Sequence, residues 1–329
     1  MEQSAQSAAA NVSLSAILTM PRDFESIRKT IRHICAQTVR DQMELVIVTT
    51  REKAALIETA ELRSLAAWQV VTLAEMRTGA VGWAAGIRRA RAPIVVMCED
   101  HSYPEPSWAE ALIDAHKKEY AAVGPIMRNA NPHSLISWAN FLLCFSEWFS
   151  ADRSGLISSG PGHNTCYKRE LLLDYDDLER WLTTERLLHL DLGAKGHRIL
   201  LESRATTHHV NMSLAGSYLR HAFLGGRVFG ASRSAHWSTF TALAHAAAFP
   251  LVPAIRLSRL MRDIDTAAKR REARFWPALP WILAGLLVHA LGEAVGYVGG
   301  KGDAEHGYMS FEMYRRDHIT VADRALLRV

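Results

Sequence analysis

Along the first half of the chain the apolar pattern switches repeatedly between two periods. Short unbroken apolar runs occur at 14–20 (LSAILTM), 43–50 (MELVIVTT), 68–73 (WQVVTL), 93–98 (PIVVMC) and 121–127 (AAVGPIM). Runs of this length, rich in Val and Ile, are the signature of strands buried on both faces. Between them, apolar residues recur three and four positions apart. Phe24, Ile27, Ile31, Ile34 and Cys35 mark a helix over 23–37, and further helices are expected over 53–67, 79–92 and 108–120. The alternation predicts an α/β domain with a mostly parallel sheet, in which ligands gather beyond the carboxyl ends of the strands. The run 94–98 ends at such a point in Glu99, Asp100 and His101. Two carboxylates and an imidazole there fit a metal site, an acid/base site or a solvated turn.

Past residue 128 the pattern changes. Trp138, Phe141, Phe145, Trp148 and Phe149 form an aromatic stripe at helical spacing, expected to be core. A Gly/Ser-rich loop (SGLISSGPGHNT, 154–165), a short strand, helices over 168–173 and 187–194 and a strand (RILLES) leading into RATTHHVN follow. The last hundred residues are expected to be helical. TALAHAAAFPLVPAIRLSRL is broken by Pro250 and Pro253, and FWPALPWILAGLLVHALGEAVGYVGG is apolar almost throughout. The latter approaches the roughly 20 residues a bilayer-spanning helix needs. Its prolines, His289, Glu293 and glycines favour helices lying in the interface, or a re-entrant pair, over a clean span; a buried helical subdomain is the other reading.

The net charge of +4 over 329 residues does not imply a nucleic-acid partner. The basic run 256–274 (RLSRLMRDIDTAAKRREAR) adjoins apolar sequence, which suits a membrane surface. Four cysteines without CxxC spacing exclude a disulfide framework and a structural zinc site, and point to a reducing compartment. MEQSAQSAAANVS has neither a basic nor an apolar signal region, so residues 1–13 are expected to be a disordered tail. GAVGWAAG does not fit G-x-G-x-x-G, which excludes a dinucleotide fingerprint.

Several motifs in order resemble the family 2 inverting glycosyltransferases with a GT-A fold. SAILTMPRDFESIRKTIRHICAQT is similar to the family's opening strand, loop and helix ending in Gln-Thr, and ELVIV to its second strand. EDHSYPEPSW falls where the family has its Asp-x-Asp motif, with Pro and Trp following. GPGHNTCYKRELL resembles the Gly-x-Asn loop, and TERLLHLDLGAKGHRILLESRATTHH the Glu-Asp helix, Gly turn, strand and downstream His. The resemblance spans about 14–211. It departs from the family at Thr19, Arg22, Thr49, Thr50 and Ala84, and above all in Glu-Asp-His for Asp-x-Asp.

The resemblance implies a Rossmann-like, mostly parallel GT-A domain over 14–235, with a donor-binding half (14–128) and an acceptor half (129–235). A helical membrane-associated region would follow over 236–329. Implied partners are a nucleotide-diphosphate sugar and a lipid, lipid-linked or glycan acceptor at the cytoplasmic side of a membrane, with a divalent cation, Mg²⁺ or Mn²⁺, as cofactor. Glu185 matches the catalytic aspartate and would be the base; a carboxylate at a helix start also serves as a cap. Glu99, Asp100 and His101 would bind the donor, with Asp100, His101 and His209 holding the metal. Thr49 and Arg77 lie where base or phosphates are approached. Arg220 and Arg227 suit a diphosphate clamp because a guanidinium makes bidentate charge-assisted bonds; solvent or lipid headgroups are the alternative contacts. His163 and Asn164 would lie on the acceptor side, or stabilise their turn. Two rival readings are a catalytically silent sugar-nucleotide-binding scaffold and a metal hydrolase using Asp100, His101 and His209.

Overall fold

The computed structural model describes residues 4–5, 11–149 and 154–326. Most of the expected tail lies outside them. The chain forms two compact units: one of residues up to 128 together with 154–209, the other of 129–149 and 210–326.

The first unit is built on a ten-stranded sheet. Its strands are β1 (Ser4–Ala5), β2 (Leu14–Thr19), β3 (Met43–Thr50), β4 (Ala67–Leu73), β5 (Ile94–Cys98), β6 (Ser102–Pro104), β7 (Ala122–Asn129), β8 (Gly155–Ile157), β9 (Cys166–Lys168) and β10 (Ile199–His209). The order is β1-β4-β3-β2-β5-β9-β7-β10-β6, with β8 beside β10. β4, β3, β2 and β5 are parallel neighbours, while β9 runs antiparallel to β5 and β7. β2, β3 and β5 are buried almost throughout, as expected of parallel strands covered on both faces.

On one side lies the Phe24–Cys35 helix, opened by Asp23, whose carboxylate accepts from the Ser26 backbone N–H at 2.8 Å. Phe24, Ile27, Ile31 and Ile34 are its buried stripe. The Gly79–Arg89 helix, capped by Thr78, lies close against the sheet through Gly86. A Cβ on Gly86 would fall 2.3 Å from Ile17 Cγ2.

The helix expected over 53–67 is instead a single turn, Arg51–Ala54, and a 3₁₀ segment, Thr59–Ser64. Anchors rather than periodicity set its path: Arg28 holds Glu58 at 2.6 Å and also pairs with Glu61, Leu62 enters the core, and Leu56 is left exposed.

The second unit is helical and includes residues 129–149 and 210–235. The Leu135–Phe145 helix and the turn after it carry the aromatic stripe, of which Trp138, Phe141, Trp148 and Phe149 are buried: Phe141 packs edge-on against Trp138 and Phe149, with centroids 5.7 and 5.5 Å away. Where the chain enters this unit, buried amides lock together. Asn131 and Asn211 exchange bonds at 2.8 Å in both directions, and the Ser137 hydroxyl lies 3.0 Å from Asn129 Oδ1 and 2.9 Å from Asn131 Oδ1.

The Phe275–Gly299 helix crosses the Ala215–Arg233 helix at backbone contact. Gly226 and Gly230 on one face Gly292 and Gly296 on the other. A Cβ at these positions would lie 2.1 Å from His289 O, 2.3 Å from Glu293 O, 2.1 Å from Phe223 O and 2.2 Å from Arg227 O, respectively.

Gly226→Ala should therefore destabilise the protein by about 3 kcal/mol, the scale of overpacking a rigid contact. Gly216→Ala, where nothing lies within 4 Å, should be neutral or stabilising. Urea unfolding of the two purified variants in the same buffer checks the contrast.

Candidate active site

The end of β5 delivers Glu99, Asp100 and His101, and a tight turn sends the chain straight into β6. The Thr30 hydroxyl lies 3.0 Å from the Glu99 carbonyl and 3.2 Å from that of Ser102, pinning both sides of the turn. β6 then pairs antiparallel with the last residues of β10: Pro104 with Thr207, Tyr103 with His208, Ser102 with His209. That register sets His209 beside His101, ring centroids 4.8 Å apart and nearly perpendicular.

Glu99 completes a buried cluster. Its Oε1 is 3.6 Å from His101 Nε2 and its Oε2 3.7 Å from His209 Nε2. One ligand atom from each of the three residues lies within 4.8 Å of the others. Ser102 Oγ and Asn164 Nδ2 donate to Glu99 Oε2 at 2.8 and 3.1 Å, which orients the carboxylate.

Asp100, expected among the metal ligands, stands behind His101 instead. Its Oδ1 lies 2.6 Å from His101 Nδ1. A carboxylate there accepts a hydrogen bond from Nδ1–H and so places the lone pair on Nε2, on the side of Glu99, as metal-binding histidines require. Glu99, expected to bind the donor but not the metal, is the carboxylate grouped with the imidazoles. One carboxylate oxygen and two imidazole nitrogens are donors of the kind that hold a divalent cation.

A second cluster surrounds Glu185, the first residue of the Glu185–Ala194 helix. His163 Nδ1 is hydrogen-bonded to Glu185 Oε1. The imidazole also packs on Trp83, ring centroids 4.2 Å apart, and Trp83 Nε1 donates to the Cys98 carbonyl at 3.4 Å. The carboxylate is thus turned toward His163 rather than capping its helix. Gly162, at φ +63, permits the tight turn; a Cβ there would stand 3.6 Å from Glu185 Oε2. Because Asn164 bonds Glu99 while its neighbour His163 bonds Glu185, the Gly-His-Asn triplet ties the two clusters together.

The remaining expected residues fall elsewhere. Thr49 is fully buried and donates to the Met20 carbonyl at 2.8 Å. Arg77 is exposed and pairs with Glu75 at 2.9 Å. Arg220 and Arg227 belong to the helical unit. Arg220 is exposed, and Arg227 Nε donates to the Gly300 carbonyl at 2.9 Å, a cap on the end of the long apolar helix.

The sequence reading missed His189. It lies one turn after Glu185 and is fully enclosed, with Nδ1 2.9 Å from Ser159 Oγ and Nε2 2.8 Å from Tyr167 Oη. Its spacing with Leu188 and Leu192 was the available signal of a buried position. Burial pushes its pKa down to about 4, so the ring is neutral and joins the loop, β9 and the Glu185 helix without a charge.

A histidine whose pKa is lower in the folded than in the unfolded chain costs stability as pH falls from about 6.5 toward 4, because the unfolded chain then binds the extra proton. Up to about 3 kcal/mol is lost this way across that window. His189→Gln should flatten the acid side of the stability–pH curve by about one proton's worth of slope. Urea unfolding at a series of pH values measures it.

Residues 15–175 match the family model described as glycosyl transferase family 2, a span from β2 through β9 that holds Glu99, Asp100, His101, His163 and Asn164. No match was found among curated proteins. This match and the order of the parallel strands make residues 15–175 a glycosyl transferase family 2 domain.

Proposed function

We propose that this glycosyltransferase moves a sugar, with inversion, from a nucleotide-diphosphate donor to a lipid or lipid-linked acceptor, assisted by a divalent cation. The observation that carries the reading is the linkage of Glu99, His101 and His209, through the Asn164–His163 pair, to Glu185. A donor-binding group and a basic carboxylate are what an inverting displacement needs on opposite sides of the anomeric carbon. Glu99, His101 and His209 would hold the cation, with Asp100 keeping His101 in the right tautomer. A bound cation offsets the negative charge that develops on the diphosphate. Glu185 supplies the basicity that removes the acceptor proton as the new C–O bond forms. The old bond breaks and its electron pair leaves with the nucleoside diphosphate.

The membrane part of the reading rests on the helical unit. Phe275–Gly299 is long and apolar enough to cross a bilayer. Trp276, Leu283, Leu287, Leu291, Val295 and Val298 are exposed along one flank, while Ile282, Leu286 and Ala290 face inward. Phe240, Leu251 and Ile255 are exposed on the preceding bent pair of helices, and Arg259, Arg262, Arg270 and Arg271 lie in the adjoining basic run. An apolar face bordered by arginines suits an interface with anionic lipid headgroups. Four free cysteines agree with a cytoplasmic setting.

Glu185→Gln should lower sugar transfer by about 10²- to 10⁴-fold while UDP or GDP with Mn²⁺ still raises the melting temperature. His101→Ala should remove the Mn²⁺-dependent part of that rise. Wild-type transfer by Glu185→Gln overturns the role of Glu185, and absence of stabilisation by any nucleoside diphosphate overturns the donor site.

Wild-type protein should float with phosphatidylglycerol vesicles and dissociate in high salt. Protein that stays in the dense fraction at every salt concentration removes the membrane assignment.

A further inference from the structure

The hydrogen bond between His163 and Glu185 leaves open which of the two takes the proton. We infer that His163 is the general base and that Glu185 acts through it; the inference rests on the transferase reading and refines it. Three observations converge on the imidazole.

The first is occupancy. Glu185 Oε1 is already engaged by His163 Nδ1. The second is access. The His163 side chain is 17% exposed and that of Glu185 9%, so the ring stands on the open side of the pair. The third is charge. A proton taken by the ring creates an imidazolium already held between a carboxylate and an indole: Glu185 bonds its Nδ1, and Trp83 lies 4.2 Å from it, centroid to centroid. Both neighbours favour the cation over the neutral ring.

The carboxylate at Nδ1 also fixes the tautomer. With the proton on Nδ1, the lone pair is on Nε2. In the transfer step the acceptor O–H proton passes to Nε2 as the acceptor oxygen bonds the anomeric carbon. The bond from that carbon to the diphosphate oxygen breaks, and the leaving group carries off the electron pair. Glu185 stays ionised throughout and balances the imidazolium, which returns its proton to water once the products have left. Trp83 is a positioning residue: its indole N–H on the Cys98 carbonyl anchors the ring face to the strand that ends in Glu99.

The test is chemical rescue. UDP-glucose, UDP-N-acetylglucosamine and GDP-mannose are each incubated with enzyme, Mn²⁺ and phosphatidylglycerol vesicles containing polyprenyl phosphate, and nucleoside diphosphate release is followed. His163→Ala should fall by about 10²-fold or more and recover at least tenfold with added imidazole, but not with formate. Glu185→Ala should fall comparably and gain nothing from imidazole. A melting-temperature rise with UDP or GDP and Mn²⁺ in both variants shows that the fold and donor site persist.

His163→Ala within about threefold of wild type overturns the inference and leaves the transferase reading standing. So does recovery of Glu185→Ala by formate with no recovery of His163→Ala by imidazole, which makes Glu185 the base. Absence of release by the wild-type enzyme from every donor, to lipid or to water, overturns the transferase reading and this inference with it.

Discussion

The three residue pairs between β6 and the end of β10 are the constraint on which the site depends. β10 brings His209 from far along the chain, and β6 follows His101 without a break. Only the antiparallel register that opposes Ser102 to His209 makes the two imidazoles neighbours. A slip of one residue would turn His209 to the other face of the sheet and put His208 in its place. His208 instead points outward and pairs with Glu105 at 2.9 Å, so the adjacent histidines have different tasks fixed by the alternation of a strand.

Burying a carboxylate between two imidazoles is costly unless its oxygens are satisfied. Glu99 is served by Ser102 from its own turn and by Asn164 from the Gly-rich loop, so the loop's position is coupled to the carboxylate it donates to. The loop is shaped by close contacts as much as by hydrogen bonds. A side chain on Gly160 would meet Thr165 Oγ1 at 2.5 Å, and one on Gly124 would meet Pro161 Cδ at 2.6 Å. Removing the side chains at these points lets two backbones approach and hold His163 and Asn164 in a turn with little freedom. His189, neutral behind the same loop, adds a tether without adding charge.

Much of this was legible in the sequence. β2, β3, β4 and β5 stand within a residue of the apolar runs that announced them, because strands buried on both faces carry their own signal. The Glu-Asp-His motif and the Gly-His-Asn loop were recognisable by their place relative to those strands. The rest depended on tertiary contact. SYP is too short to show an alternation, so β6 was invisible, and with it the reason why His209 rather than His208 joins the cluster. The division of roles between Glu99 and Asp100 follows from rotamers and a neighbouring ring, which adjacent residues do not encode. The bond from Arg227 to the Gly300 carbonyl was not legible because nothing in its helix shows that the end of another helix will lie over it. The stretch 53–67 failed as a helix because ion pairs to Arg28 set its course.

The paired glycines of the helical unit carry a consequence for solvent. Most helix pairs in water adhere because their contact excludes water, a driving force that vanishes in hydrocarbon. At Gly226, Gly230, Gly292 and Gly296 the two backbones touch directly, and the attraction comes from dispersion and weak Cα–H···O contacts that need no water to expel. The crossing therefore owes its tightness to the shape of two backbones rather than to the exclusion of water.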